Sequence, residues 1–109
     1  MESDIKLEVC FRFLDLTQEK ADDLKLLNLG SKFGVHFKTK KITGLVPLNK
    51  SCIPRIQSFI ESNEIPISDT DIYISFRTDY DSRIIDIPEY VNEAVSKIGS
   101  KMVLSYTIE

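Results

Sequence analysis

Four stretches of this chain alternate apolar and polar residues, and three stretches between them repeat apolar residues at helical spacing. Leu7, Val9, Phe11 and Phe13 alternate with Lys6, Glu8, Cys10 and Arg12, the period of two of a strand with one buried face. Phe33, Val35 and Phe37 alternate with Lys32, Gly34, His36 and Lys38; Ile72, Ile74 and Phe76 alternate with Asp71, Tyr73, Ser75 and Arg77; Met102, Leu104, Tyr106 and Ile108 mark a final strand. Strands and helices that alternate along a chain pack as a sheet with helices laid on it, which confines the fold to the α/β and α+β classes.

The helices have their own punctuation. Thr17 is a good N-cap, Ala21, Leu24 and Leu27 follow at three-residue spacing, and Leu29-Gly30 ends the first helix. Ser51 is the expected cap of the second, with Pro54 in its first turn, Ile53, Ile56, Phe59 and Ile60 on one side, and Pro66 beyond its end. Pro88 opens the third, where Val91, Ala94, Val95 and Ile98 share a face and Gly99 stops the helix. Asp79-Tyr80-Asp81-Ser82 reads as a turn. Ile42 to Pro47 and Ile84-Ile85 are not placed by pattern, and a short strand at either would change the sheet.

The two ends of the chain look like copies of one unit. Phe11-Arg12 matches Phe76-Arg77, Asp15-Leu16-Thr17 matches Asp86-Ile87-Pro88, and Gly30-Ser31-Lys32 matches Gly99-Ser100-Lys101. Each unit is strand-helix-strand, and a right-handed crossover makes its strands parallel with the helix on one sheet face. The expected fold is α+β: a ferredoxin-like two-layer sandwich of two β-α-β units, with the Ser51 to Ile60 helix inserted between them. Strands one and three then lie at its centre, with Arg12 and Arg77 as neighbours on the face away from the helices.

At 109 residues, with 42% apolar and 28% charged side chains, the chain suits one domain with one core, covering residues 1–109, rather than two. The start Met1-Glu2-Ser3-Asp4 lacks the basic, then apolar layout of a secretory signal, and no stretch reaches the roughly 18 apolar residues of a membrane helix. Cys10 and Cys52 are too few for a disulfide scaffold. A cytoplasmic protein with reduced cysteines and no membrane partner is expected.

The candidate chemistries fail one by one. Nitrogen and sulfur ligation has only His36, Cys10 and Cys52, on separate elements, so no metal site is expected. Asp79-Tyr80-Asp81 begins like a calcium loop, but Arg83 and Ile84 occupy the positions of an oxygen ligand and a glycine. Neither cysteine has a sequence-visible base, as a nucleophile requires. The acids Asp79, Asp81, Asp86 and Glu89 are close in sequence, although turns and helix starts collect acids for local reasons. Glycines 30, 34, 44 and 99 are too dispersed to cradle a phosphate. No catalytic residue and no cofactor are assigned, and the reading is of a protein that binds rather than transforms.

Two binding modes use the open sheet face. Arg12 and Arg77 side by side, with Tyr73, would hold a carboxylate or phosphate in a small-molecule-sensing regulatory domain, unless each arginine pairs with a neighbour such as Glu8. RNA-binding domains stack bases on such a face, but only Tyr73 is aromatic in the exposed register of strand three and the net charge is -3, so nucleic acid is disfavoured.

The net charge hides an asymmetry. Lys25, Lys32, Lys38, Lys40, Lys41, Lys50 and Arg55 occur without an acid between them, whereas Glu61 to Glu93 holds nine acids against Arg77 and Arg83. In size, acidic balance, absence of a catalytic set and the acid-rich Asp79 to Glu93 segment, the chain resembles the small cytoplasmic immunity proteins of bacterial contact-dependent growth-inhibition and other polymorphic toxin systems. The resemblance is one of type over the whole chain and has no diagnostic motif. It implies a protein partner, a cognate toxin, often a nuclease, whose active site or access is blocked. An acidic surface suits the basic cleft of a nuclease. Asp79, Asp81, Asp86, Glu89 and Glu93 would form its charged part, and Tyr80 and Tyr90 its aromatic anchors. The final strand, as a sheet edge, offers strand addition as a second docking mode. One sequence does not set the oligomeric state.

Overall fold

The computed structural model describes residues 6–78 and 86–108. The strand β1 (Lys6–Leu16) leads into the helix α1 (Gln18–Leu26), where the Thr17 hydroxyl accepts a hydrogen bond from the Lys20 amide at 3.2 Å, the capping contact expected of that residue. The hairpin β2 (Lys32–Val35) and β3 (Ile42–Pro47) follows, then a 3-10 turn (Lys50–Cys52) and α2 (Ile53–Ser62). A second 3-10 turn (Ile67–Asp69) leads into β4 (Thr70–Thr78), and α3 (Glu89–Ile98) and β5 (Lys101–Ile108) complete the fold. Gly99 takes φ 88° after α3, the left-handed stop for which glycine is suited.

The five strands form one mixed sheet in the order β2-β3-β1-β4-β5. The α+β class and the layering agree with the sequence reading, but the strand order does not follow the expected ferredoxin-like pair of units. Ile42 to Pro47 is a strand, and it lies between β2 and β1, antiparallel to both. The first unit is therefore opened: β2 runs parallel to β1 but is separated from it by β3. The last unit is closed, with β5 directly beside β4 and parallel to it. As expected, β1 and β4 are adjacent near the centre, and they are antiparallel.

Two local boundaries also differ. The second strand stops at Val35 rather than Lys38, because the chain must turn to pair with β3. His36 makes that turn: its Nδ1 accepts from the amides of Lys38 and Thr39, each at 3.2 Å. Ser51 does not cap α2: it lies inside the 3-10 turn that runs into the helix, and that turn is capped by Asn49, whose side chain accepts from the Cys52 amide at 3.0 Å while the Asn49 amide donates back to Cys52 Sγ.

Val9, Phe11, Phe13, Val46, Ile72 and Ile74 from the sheet meet Leu24, Ile53, Ile56, Phe59, Val91 and Ala94 from the helices in one buried cluster. Phe13 packs edge-to-face on Phe11 and on Phe59. Gly44 sits on this buried face because Leu16, Leu24 and Phe33 fill the space of a side chain; a Cβ there would come within 3.0 Å of Leu16 Cδ1. Buried polar groups are paired: the Thr70 and Ser100 hydroxyls lie 2.6 Å apart, and Thr70 also donates to the Ile67 carbonyl. Among the described residues no helix is long and apolar enough to cross a membrane.

Candidate functional site

The face of the sheet away from the helices carries Arg12 and Tyr73, two of the expected ligand-binding residues. Antiparallel pairing of β1 and β4 sets Cys10 opposite Tyr73 and Arg12 opposite Asp71. The Arg12 guanidinium donates from Nε and Nη2 to the two carboxylate oxygens of Asp71, both at 2.7 Å, a bidentate charge-assisted pair. Asp71 is 1% exposed although it lies on the uncovered face, because the guanidinium lies over it. The same guanidinium stands 4.3 Å from the Tyr73 ring centroid, a cation-π contact. Hydrogen bonding to Asp71, the largest effect, raises the pKa of Arg12 against the opposing cost of burial.

This geometry corrects the pairing of Arg12 with Arg77. The offset that carries Arg12 to Arg77 also carries Val9 to Ile74, and those two are cross-strand partners. The repeated strands are thus related by a pseudo-two-fold between Val9 and Ile74, which sends equivalent residues to opposite ends. Arg77 lies opposite Lys6, six residues along β4 from Asp71, or roughly 20 Å at ~3.3 Å per residue. The two arginines cannot clamp one anion. Arg12 commits two of its five N–H donors to a carboxylate of the chain itself, and its guanidinium stands over one face of the Tyr73 ring, so the expected site presents an arginine already paired with a carboxylate and a ring with one face already covered. The partner of Arg12 is Asp71 rather than Glu8, a pairing set by the β1-β4 register.

Of the residues expected to face a toxin, Asp79, Tyr80 and Asp81 lie outside the described residues. Asp86 and Glu89 are exposed at the start of α3. Glu93 is paired to Lys97 at 2.9 Å, one helical turn on. Tyr90 is not a protruding anchor: it packs on the core and lines a cavity of about 460 Å³ with Glu8, Cys10, Lys32 and Leu48. The basic residues Lys38, Lys40 and Lys41 occupy the β2-β3 turn. That turn lies at the end of the sheet where β1 finishes, the end at which β4 begins with Asp71, and Lys32 lies with Glu8 and Tyr90 around one cavity, so the charge division along the chain is not kept as a separation in space.

Cys52 is buried, and its thiol is held by the backbone of Asn49. Cys10 is half-buried on the open face, where burial, then Glu8, raise its pKa against Lys32 and Arg12. Among the described residues no group of three or more His, Cys, Asp or Glu could hold a metal ion.

The final strand lies at a sheet edge, as expected; what sequence reasoning did not single out is the exposure of its helix-side face. The parallel register sets Met102 beside Ile72, Leu104 beside Ile74 and Tyr106 beside Phe76. Their β4 neighbours Ile72 and Ile74 are fully buried, yet Met102, Leu104 and Tyr106 are 49%, 60% and 44% exposed. The cause is the position of α3. Gln57 of α2 donates to the Lys97 carbonyl at 3.0 Å, and Val91, Ala94 and Ile98 join the cluster shared with α2. The helix is drawn toward the middle of the sheet and does not cover β5. Alternation in the sequence marked one β5 face as apolar but carries no information on where the next helix settles.

Comparison of the chain with protein families, with curated proteins and with solved structures finds no match.

Proposed function

We propose that this protein is a non-catalytic binding domain that recognises another polypeptide at the β5 edge. The observation behind this reading is the row Met102, Leu104 and Tyr106, exposed on a strand whose outer edge pairs with no other described strand. Edge backbone groups supply hydrogen bonds and the alternate side chains supply apolar contact, the two elements of strand addition. A contiguous apolar stripe of this kind marks an interaction site more often than a solvated face.

In its narrower form the partner is a toxin and the protein is its immunity partner in the cytoplasm. Asp86 and Glu89, both exposed, would speed encounter with a basic surface, while β5 provides the contact. The free state of both cysteines accords with a reducing compartment. We also read β1-α1-β2-β3-α2-β4 as a ferredoxin-like core to which α3 and β5 are added; the support is that β3 and β1 each lie inside the other's crossover.

The test is binding to toxin domains encoded beside the gene, followed by surface interferometry at two salt concentrations. Leu104→Lys is expected to weaken binding more than tenfold through faster dissociation. Asp86→Lys with Glu89→Lys is expected to slow association, most at low salt. Equal kinetics for wild type and Leu104→Lys would remove the β5 edge from the reading. Failure of every neighbouring toxin domain to bind or be neutralised would remove the immunity version.

A further inference from the structure

We propose that β5 pairs with β5 of a second copy, antiparallel about a two-fold axis at Leu104, joining two five-stranded sheets into one continuous sheet. This rests on the reading that β5 is the docking edge, and it names a second copy as the occupant of that edge when no other partner is bound.

The two edges of the sheet are built differently. The β2 edge is four residues long, and lysines flank it at Lys32 and in the turn at Lys38, Lys40 and Lys41, the charged ends that keep an edge from pairing. The β5 edge is eight residues long, with Lys101 as its one charge. It is a strand equipped to pair.

Its sequence is complementary to itself. A two-fold perpendicular to the sheet keeps every side chain on its own face, so the axis must pass through a residue. Centred on Leu104, the pairing sets Leu104 opposite Leu104 and Met102 opposite Tyr106, so the whole stripe meets apolar partners on the helix side. On the other face Val103 meets Ser105, and Lys101 does not face its own copy, so no like charges are opposed. Moving the centre back to Val103 would set Tyr106 opposite Ser100, which is buried and lies before the strand.

The amount of surface is also suitable. Three side chains exposed by 44% to 60% offer on the order of 300 Å² of apolar surface per copy. A small specific interface needs about 600 Å² per partner, and the paired backbone edge and the flank of α3 supply the remainder. The two α3 helices, on the same side of the joined sheet, would bound a groove filled by the six side chains of the two stripes.

The experiment is sedimentation equilibrium of the full chain from roughly 1 to 500 μM, which brackets the micromolar affinity expected of a small interface. The average mass should rise from 12.5 kDa to twice that value, and Leu104→Lys should remain at the monomer mass with an unchanged far-ultraviolet spectrum and, at the lowest concentration, where both proteins are monomers, the urea midpoint of the wild type. Leu104→Cys should then form a disulfide dimer under mild oxidation, because residues directly opposed in an antiparallel pair lie within disulfide reach. A wild type monomeric throughout overturns the proposal, as does preferential cross-linking through Val103→Cys or Ser105→Cys for this register. A monomeric wild type that still loses a toxin partner on Leu104→Lys would overturn the second copy while leaving the docking edge intact. A dimer whose affinity ignores Leu104→Lys would overturn both.

Discussion

Arg12→Met removes the guanidinium but keeps an alkyl stem over Tyr73, and it should cost about 2–3 kcal/mol of stability. Breaking a buried ion pair by removing one partner typically costs about 3–5 kcal/mol, because the remaining charge is stranded. Arg12 is 25% exposed, so water reaches the vacated space and part of that cost is recovered. Asp71→Asn should cost less, about 1–2 kcal/mol, because Arg12 can then turn its guanidinium toward solvent. The double variant Arg12→Met with Asp71→Leu should recover most of the loss, since a buried pair replaced by apolar groups is often nearly neutral. Urea unfolding followed by circular dichroism supplies the four free energies of the cycle, provided the slope is shared by all four proteins. For a domain of this size ~2–3 kcal/mol is a substantial part of a stability of roughly 5–15 kcal/mol. Single variants within ~0.5 kcal/mol of wild type, with negligible coupling, would refute the reasoning and return Arg12 to the pool of ligand-binding groups.

Two further perturbations probe the core and the open face. Gly44→Ala should destabilise by about 1–3 kcal/mol in the same unfolding assay, because the added Cβ would meet Leu16, Leu24 and Phe33 at 3.0 to 3.3 Å; unaltered stability would mean that these side chains relax freely. The Cys10 thiol, whose pKa is raised chiefly by burial, holds its proton more tightly in the folded than in the unfolded chain. Its contribution to stability is complete below the ordinary thiol value of about 8.5 and is lost as pH rises through the higher folded value. Cys10→Ala should therefore flatten the decline of the urea midpoint between about pH 8 and pH 10, and an identical decline in both proteins would contradict the shift.

Local instructions in the sequence were enough to place the elements whose causes are local. Thr17 caps α1, Pro54 enters the first turn of α2 and Gly99 ends α3, each through the geometry of its own few residues. The buried rows Val9-Phe11-Phe13 and Ile72-Ile74 were legible because a strand face repeats every second residue. The strand β3 was hidden because its central core position is Gly44, which breaks the apolar alternation of Ile42 and Val46. That glycine makes sense only once Leu16, Leu24 and Phe33 converge on it.

The candidate site depended on relations between distant segments. Asp71 is the second residue of an otherwise ordinary strand, and nothing near it in sequence announces a buried carboxylate; the antiparallel register of β1 and β4 decides that it lies under Arg12. The same register separates Arg12 from Arg77, whose equivalence in the repeat was readable but whose distance was not. The sequence by itself determined that residues 101–108 form a strand with one apolar face. The expected edge position of that strand holds as well, but that its apolar face stands exposed was decided by tertiary packing, because α3 settles against α2 and the centre of the sheet and leaves β5 uncovered.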